Sequence, residues 1–80
     1  MLTAEQMQAA RALVRMRQPQ LAEAAGVSLE TIKRLEGMRG TVSAQLSTVT
    51  AIRRALEAAG VIFIDENGEG PGVRLRKDRP

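Results

Sequence analysis

Gly26, Gly37 and Gly60 each stand directly after a run with helical periodicity, and together they cut the first sixty residues into short helices that must pack on one another. Thr3 opens the first run as a cap, with Gln6 at the capping-box position. Met7, Ala10, Leu13 or Val14, and Arg17 then follow a helical period, while Arg11 and Arg15 lie one turn apart on a neighbouring face, either solvated or touching phosphate. The second helix begins near Gln18, because Pro19 suits the first helical position, and it stops at Gly26. Ser28 caps the third, with Thr31 where a full capping box has Glu or Gln, and Gly37 ends it after Glu36. Leu21, Ala22, Ala25, Val27, Ile32 and Leu35 form the wedge between these two helices. Met38 to Leu46 reads as a loop with one helical turn around Val42 to Gln45. Ser47 or Thr48 caps a last helix, which turns Val49, Ile52, Leu56 and Ala59 to one face, sets Arg53, Arg54 and Glu57 elsewhere, and ends at Gly60.

Eighty residues support one domain, spanning 1–80, because a second would have too little apolar surface to bury. One Phe and no Trp or Tyr leave Ala, Leu, Val, Ile and Met to fill the core, which suits closely approaching helices. The absence of Cys and His excludes disulfides, thiol nucleophiles, zinc fingers and histidine bases, and no metal or other cofactor is expected. Neither a signal peptide nor a membrane span is apparent, so a cytoplasmic protein is expected. Residues 1–60 hold eight Lys or Arg against five Asp or Glu, whereas residues 61–80 hold four of each. The net charge of +3 therefore sits entirely in the helical part, a bias towards a polyanion partner.

After Gly60 the pattern changes. Val61, Ile62, Phe63 and Ile64 are β-branched or aromatic, Asp65 to Gly72 is rich in turn residues, and Val73 to Lys77 alternates apolar and basic. A two-stranded hairpin over 61–77 is expected. Its first strand is apolar on both faces, and an isolated hairpin is marginal, so something must cover it. A second copy of the chain is the expected cover, through Val61, Ile62, Phe63, Ile64, Val73 and Leu75, the other outcome being a hairpin folded back on its own helices.

Two capped helices joined by a tight bend, with a polar face on the second, meet the physical requirements for entering a DNA major groove. The segment 18–36 has these features in specific form: Gln18 at the start, Leu21-Ala22 on the buried side, Gly26-Val27-Ser28 at the bend, and Ile32 and Leu35-Glu36 near the end. It resembles the helix-turn-helix of the phage repressor and Cro family, also called the Xre family, and with the hairpin the likeness extends over nearly the whole chain. The resemblance implies a mainly α, lambda-repressor-like domain of four or five short helices over 3–60, followed by a C-terminal β-hairpin. It also implies a bacterial, nucleoid-associated transcriptional regulator that binds an inverted repeat of double-stranded DNA as a homodimer.

By the same resemblance, Ser28, Leu29, Glu30 and Arg34 occupy the positions that face bases, Gln18 the phosphate-contacting and supporting position, and Thr31 and Lys33 flank them. Glu36 matches an acidic position that is structural. Chemically, Arg34 could donate twice to a guanine edge, Glu30 could accept from cytosine N4, and Leu29 could touch a thymine methyl. Leu29 could instead pack inward, and Glu30 could pair with Lys33 or Arg34. Arg39, Thr41 and Ser43 in the following loop are candidate backbone contacts. Arg53, Arg54 and the tail residues Arg74, Arg76, Lys77 and Arg79 could serve either as solvated surface or as further contacts.

No enzyme is expected, since the carboxylates are scattered and no nucleophile stands beside a base. Asp65 to Glu69 lacks the ligand pattern of a calcium loop and reads as a polar turn. The competing function is a protein-interaction module on the same scaffold, an antiactivator or antitoxin-like protein with a regulatory protein partner in place of DNA.

Overall fold

In the computed structural model, which describes residues 1–78, four helices precede a two-stranded antiparallel sheet: α1 (Ala4–Val14), α2 (Gln18–Ala25), α3 (Leu29–Glu36), α4 (Leu46–Ala58), β1 (Val61–Ile64) and β2 (Gly72–Leu75). The fold is mainly α, as the punctuation of the sequence implies. Arg79 lies outside the described residues.

Each helix boundary has a local cause. Thr3 accepts from the Gln6 backbone N–H while the Gln6 side chain accepts from the Thr3 N–H, so both halves of the capping box form. α2 carries Pro19 in its first turn and ends at Gly26, whose φ of 69° places it in the left-handed region. Ser28 caps α3 by accepting from the Thr31 N–H. Gly37 ends α3 by another route, since its φ of −78° is right-handed. The last turn there is closed by the Gly37 and Met38 N–H groups bonding back to the carbonyls of Lys33 and Leu35.

Three expectations for the connecting segments need correction. The helical turn around Val42 to Gln45 is absent, because the preceding backbone pairs with the N-terminal strand-like segment. The Ala4 N–H donates to Gly40, the Val42 N–H donates to Leu2, and Thr41 bridges Thr3. This pairing carries Leu2 and Val42 into the core. α4 starts before Ser47, with Gln45 at the cap position and no side-chain cap bond. Arg17 does not continue the period of α1; left-handed Arg15 has already ended that helix, and Arg17 stands at the cap of α2.

One core runs through every element, with Leu2, Met7, Leu21, Ile32, Leu35, Ile52 and Leu56 fully enclosed. The hairpin belongs to it. Its register pairs Val61 with Leu75 and Phe63 with Val73, so these four side chains share one face. Val61 and Phe63 are 2% and 8% exposed, and Val73 packs against the same cluster. Val61 and Phe63 are therefore unavailable to a second copy, which corrects their assignment to dimerisation: the hairpin folds back on α1 and α4. Ile62 and Ile64 occupy the opposite face, half-buried, alongside exposed Arg74. β2 spans Gly72–Leu75, short of the Lys77 expected.

Gln6 anchors the loop end of the hairpin. It is 4% exposed, and its amide nitrogen donates to the carbonyls of Gly72 at 3.0 Å and Ile64 at 3.3 Å. Arg53 holds the strand from the side of α4. Its guanidinium lies 5.0 Å from the centre of the Phe63 ring and donates to the Met1 carbonyl, with Glu57 and Asp65 as ion-pair partners. Arg53 is thus committed to the fold rather than free as a phosphate contact. Among the described residues, no helix is long and apolar enough to cross a membrane.

Candidate nucleic-acid interface

The α2–turn–α3 unit presents one polar stripe. Ile32 and Leu35 are fully buried, and the 3.6-residue period then forces Glu30, Lys33 and Arg34 outward, where all three are exposed. Ser28 is exposed at the head of the stripe, its hydroxyl 2.8 Å from that of Thr31, which is half-buried. Glu30 forms no ion pair with Lys33 or Arg34 among the described residues. Their charged heads therefore remain open to a partner. Leu29 departs from its base-facing assignment: it is half-buried and packed against the core, leaving little of its side chain to offer a thymine methyl.

The orientation of α3 is fixed by a carboxylate whose partner no local pattern reveals. Glu36 is 6% exposed in the last turn of the helix, where the macrodipole disfavours negative charge. Arg11 of α1 offsets this with a two-pronged contact, Nε to Oε2 at 2.6 Å and Nη2 to Oε1 at 2.7 Å. The same guanidinium donates to the Met16 carbonyl, and Gln8 donates to the Glu36 carbonyl at 2.8 Å. The hydrogen bond to Glu36 raises the Arg11 pKa above its ordinary value, outweighing the opposing effect of burial. Arg11 is therefore not the solvated residue that its spacing from Arg15 suggests. Glu36 is structural, as expected.

Gln18 joins this network from the start of α2, its amide nitrogen 3.1 Å from Glu36 Oε1. An amide carries two N–H donors, so one can hold Glu36 while the other remains for a phosphate oxygen. Arg39 is exposed shortly beyond α3. Thr41 and Ser43 are placed elsewhere: Thr41 is bridged to Thr3, about 12 Å along α1 from Arg11 by helical rise, and the Ser43 N–H faces the sulfur of Met38. The residues brought together are therefore Ser28, Glu30, Thr31, Lys33 and Arg34, backed at one end by Gln18.

Of the tail, Arg74 and Lys77 are exposed, whereas Arg76 is half-buried and its Nε has no hydrogen-bond partner among the described residues. The Asp65–Gly70 turn is tied internally, with Glu66 accepting from the Gly68 and Gly70 N–H groups. No group of three acidic side chains is placed to hold a metal ion among the described residues. Fold and stripe together define a helix-turn-helix-like domain. No protein-family model and no curated protein matches the chain.

Proposed function

We propose that this protein is a sequence-specific, double-stranded-DNA-binding transcriptional regulator of the phage repressor and Cro type, and that α3 reads the major groove. The observation that carries this reading is the stripe on α3: two cations without an ion-pair partner among the described residues, a carboxylate and a hydroxyl on one exposed helical face, with no apolar side chain fully presented among them. Arg34 is the base-reading group, through two donors to a guanine edge, with Ser28 and Glu30 beside it. Lys33, Gln18 and Arg39 supply phosphate contacts that set register and carry no sequence information.

A dimer on an inverted repeat fits the dimensions. Half-sites one turn apart are separated by about 34 Å, and the chain measures 29 Å across its two longer axes, so two copies can stand side by side on successive grooves.

Amide chemical-shift mapping with a mixed-sequence duplex tests the surface directly. Shifts confined to residues 28–34, Gln18 and Arg39 are expected. Shifts confined to the hairpin, or none at low salt, would transfer the function to the protein-interaction reading.

A further inference from the structure

β2 is paired along one edge only. The Arg76 N–H donates to the Gly60 carbonyl at 2.7 Å, so Gly60 and Arg76 form a hydrogen-bonded pair of the ladder. By alternation Ile62 with Arg74 and Ile64 with Gly72 are the other such pairs. The backbone N–H and C=O groups of Val73 and Leu75 therefore point away from β1, and among the described residues no other element bonds to them. An unpaired edge of this kind is a template for another strand. β1 has α4 beside it, with Arg53 over Phe63, whereas the β2 edge borders a groove along α1.

Glu5, Ala9 and Leu13 recur every four residues on α1, and all three are exposed. Glu5 and Ala9 share a cavity of about 460 Å³ with Val73, and Leu13 and Arg15 share one of about 530 Å³ with Leu75. Both are of the size that ligand sites occupy, roughly 300–1,000 Å³. Glu5 at one end and Arg15 at the other have no ion-pair partner among the described residues. Helical rise separates the two by about 15 Å, the length of about five residues of strand.

We propose that an extended segment of a partner protein adds to the β2 edge in this groove, antiparallel to β2. Backbone bonds to Val73 and Leu75 give affinity, and the flanking charges and pockets give specificity. The charges define the occupant. Its residues opposite Val73 and Leu75 face α1 and are apolar, its alternate residues lie beside Arg74 and Arg76 and are acidic, and its last residue is a cation that meets Glu5. A second copy fits poorly, because pairing two β2 edges lays the arginines of one strand beside those of the other, and like charges across a ladder repel. No residue of the α3 stripe takes part, so this inference stands or falls independently of DNA reading.

The test is titration of the full chain, followed by amide chemical shifts, with the acetylated and amidated pentapeptide Glu-Val-Glu-Val-Lys up to about 5 mM. Saturable shifts at Val73, Leu75 and Ala9 are expected, with a dissociation constant on the order of 300 µM. N-methylation of both valines removes the donors to the β2 edge and leaves the protein untouched; it should weaken binding at least about tenfold. Ala9→Phe, at an exposed helical position, should fill the groove and do the same, with unchanged circular dichroism verifying the fold. No shifts at these residues, an equal response to Lys-Val-Lys-Val-Glu, or indifference to N-methylation overturns the inference. Shifts there that grow with protein concentration alone would give the edge to a second copy and overturn it too.

Discussion

Replacing Arg11 by methionine removes both prongs from Glu36 and the donor to Met16, and the cost can be worked from the geometry. Hydrogen bonds to charged groups contribute roughly 1.5–3 kcal/mol each, and stranding the partner of a buried pair costs about 3–5 kcal/mol. Arg11 retains 21% of its side-chain exposure, so part of its attraction is screened, but Glu36 retains only 4%. Without Arg11 the carboxylate keeps one neutral donor, Gln18. A loss of about 3 kcal/mol follows for Arg11→Met, a large share of the roughly 4–12 kcal/mol expected for eighty residues. The reciprocal change, Glu36→Gln, leaves a guanidinium that can turn towards water, and costs only about 1–2 kcal/mol. Urea unfolding followed by circular dichroism measures both. Equal losses, or a loss below about 0.5 kcal/mol for Arg11→Met, would refute the view that one sealed carboxylate orients α3. Because the Arg11 pKa is raised, its contribution is fully present below the ordinary arginine value and is lost only as pH rises through the higher folded value.

Other outcomes follow from single sites. Gln6→Glu keeps a good capping-box residue yet sets a carboxylate against the carbonyls of Ile64 and Gly72; it should destabilise by about 1–3 kcal/mol at neutral pH. The introduced carboxyl has its folded pKa raised, so stability should recover as pH falls and the protonated form can donate; pH-dependent urea melts show this. Gly26→Ala should cost about 1 kcal/mol from its left-handed φ alone, since nothing lies within 4 Å of the new methyl. Gly37→Ala, right-handed and in ordinary contact with the Lys33 carbonyl, should be within about 0.5 kcal/mol of neutral. Thermal melts of the pair separate the two roles. Lys33→Ala should weaken DNA binding evenly across sequences and reduce the salt slope by about 1, measured by anisotropy at several salt concentrations.

What could be read from the sequence was local. Thr3 with Gln6, Pro19, Gly26 and Ser28 act within a few residues of themselves, and each does in the fold what its chemistry suggests. The outward stripe on α3 follows from Ile32 and Leu35 by helical period alone. What escaped depends on partners far along the chain. Arg11 meets Glu36 across 25 positions, and Gln6 reaches Gly72 across 66, with no repeat or spacing to signal either. The hairpin was misjudged for a related reason: a strand apolar on both faces calls for cover, but the sequence does not say whether α1 and α4 or a second chain supplies it.

The central claim, that the exposed face of α3 reads DNA sequence, is tested most directly by selection from a random double-stranded pool, run with the native chain and with Arg34→Ala. An inverted repeat enriched by the native chain, with preference relaxed at one base pair in each half-site by Arg34→Ala, is the predicted result. A pool that stays random, or an enriched sequence indifferent to Arg34, would contradict it.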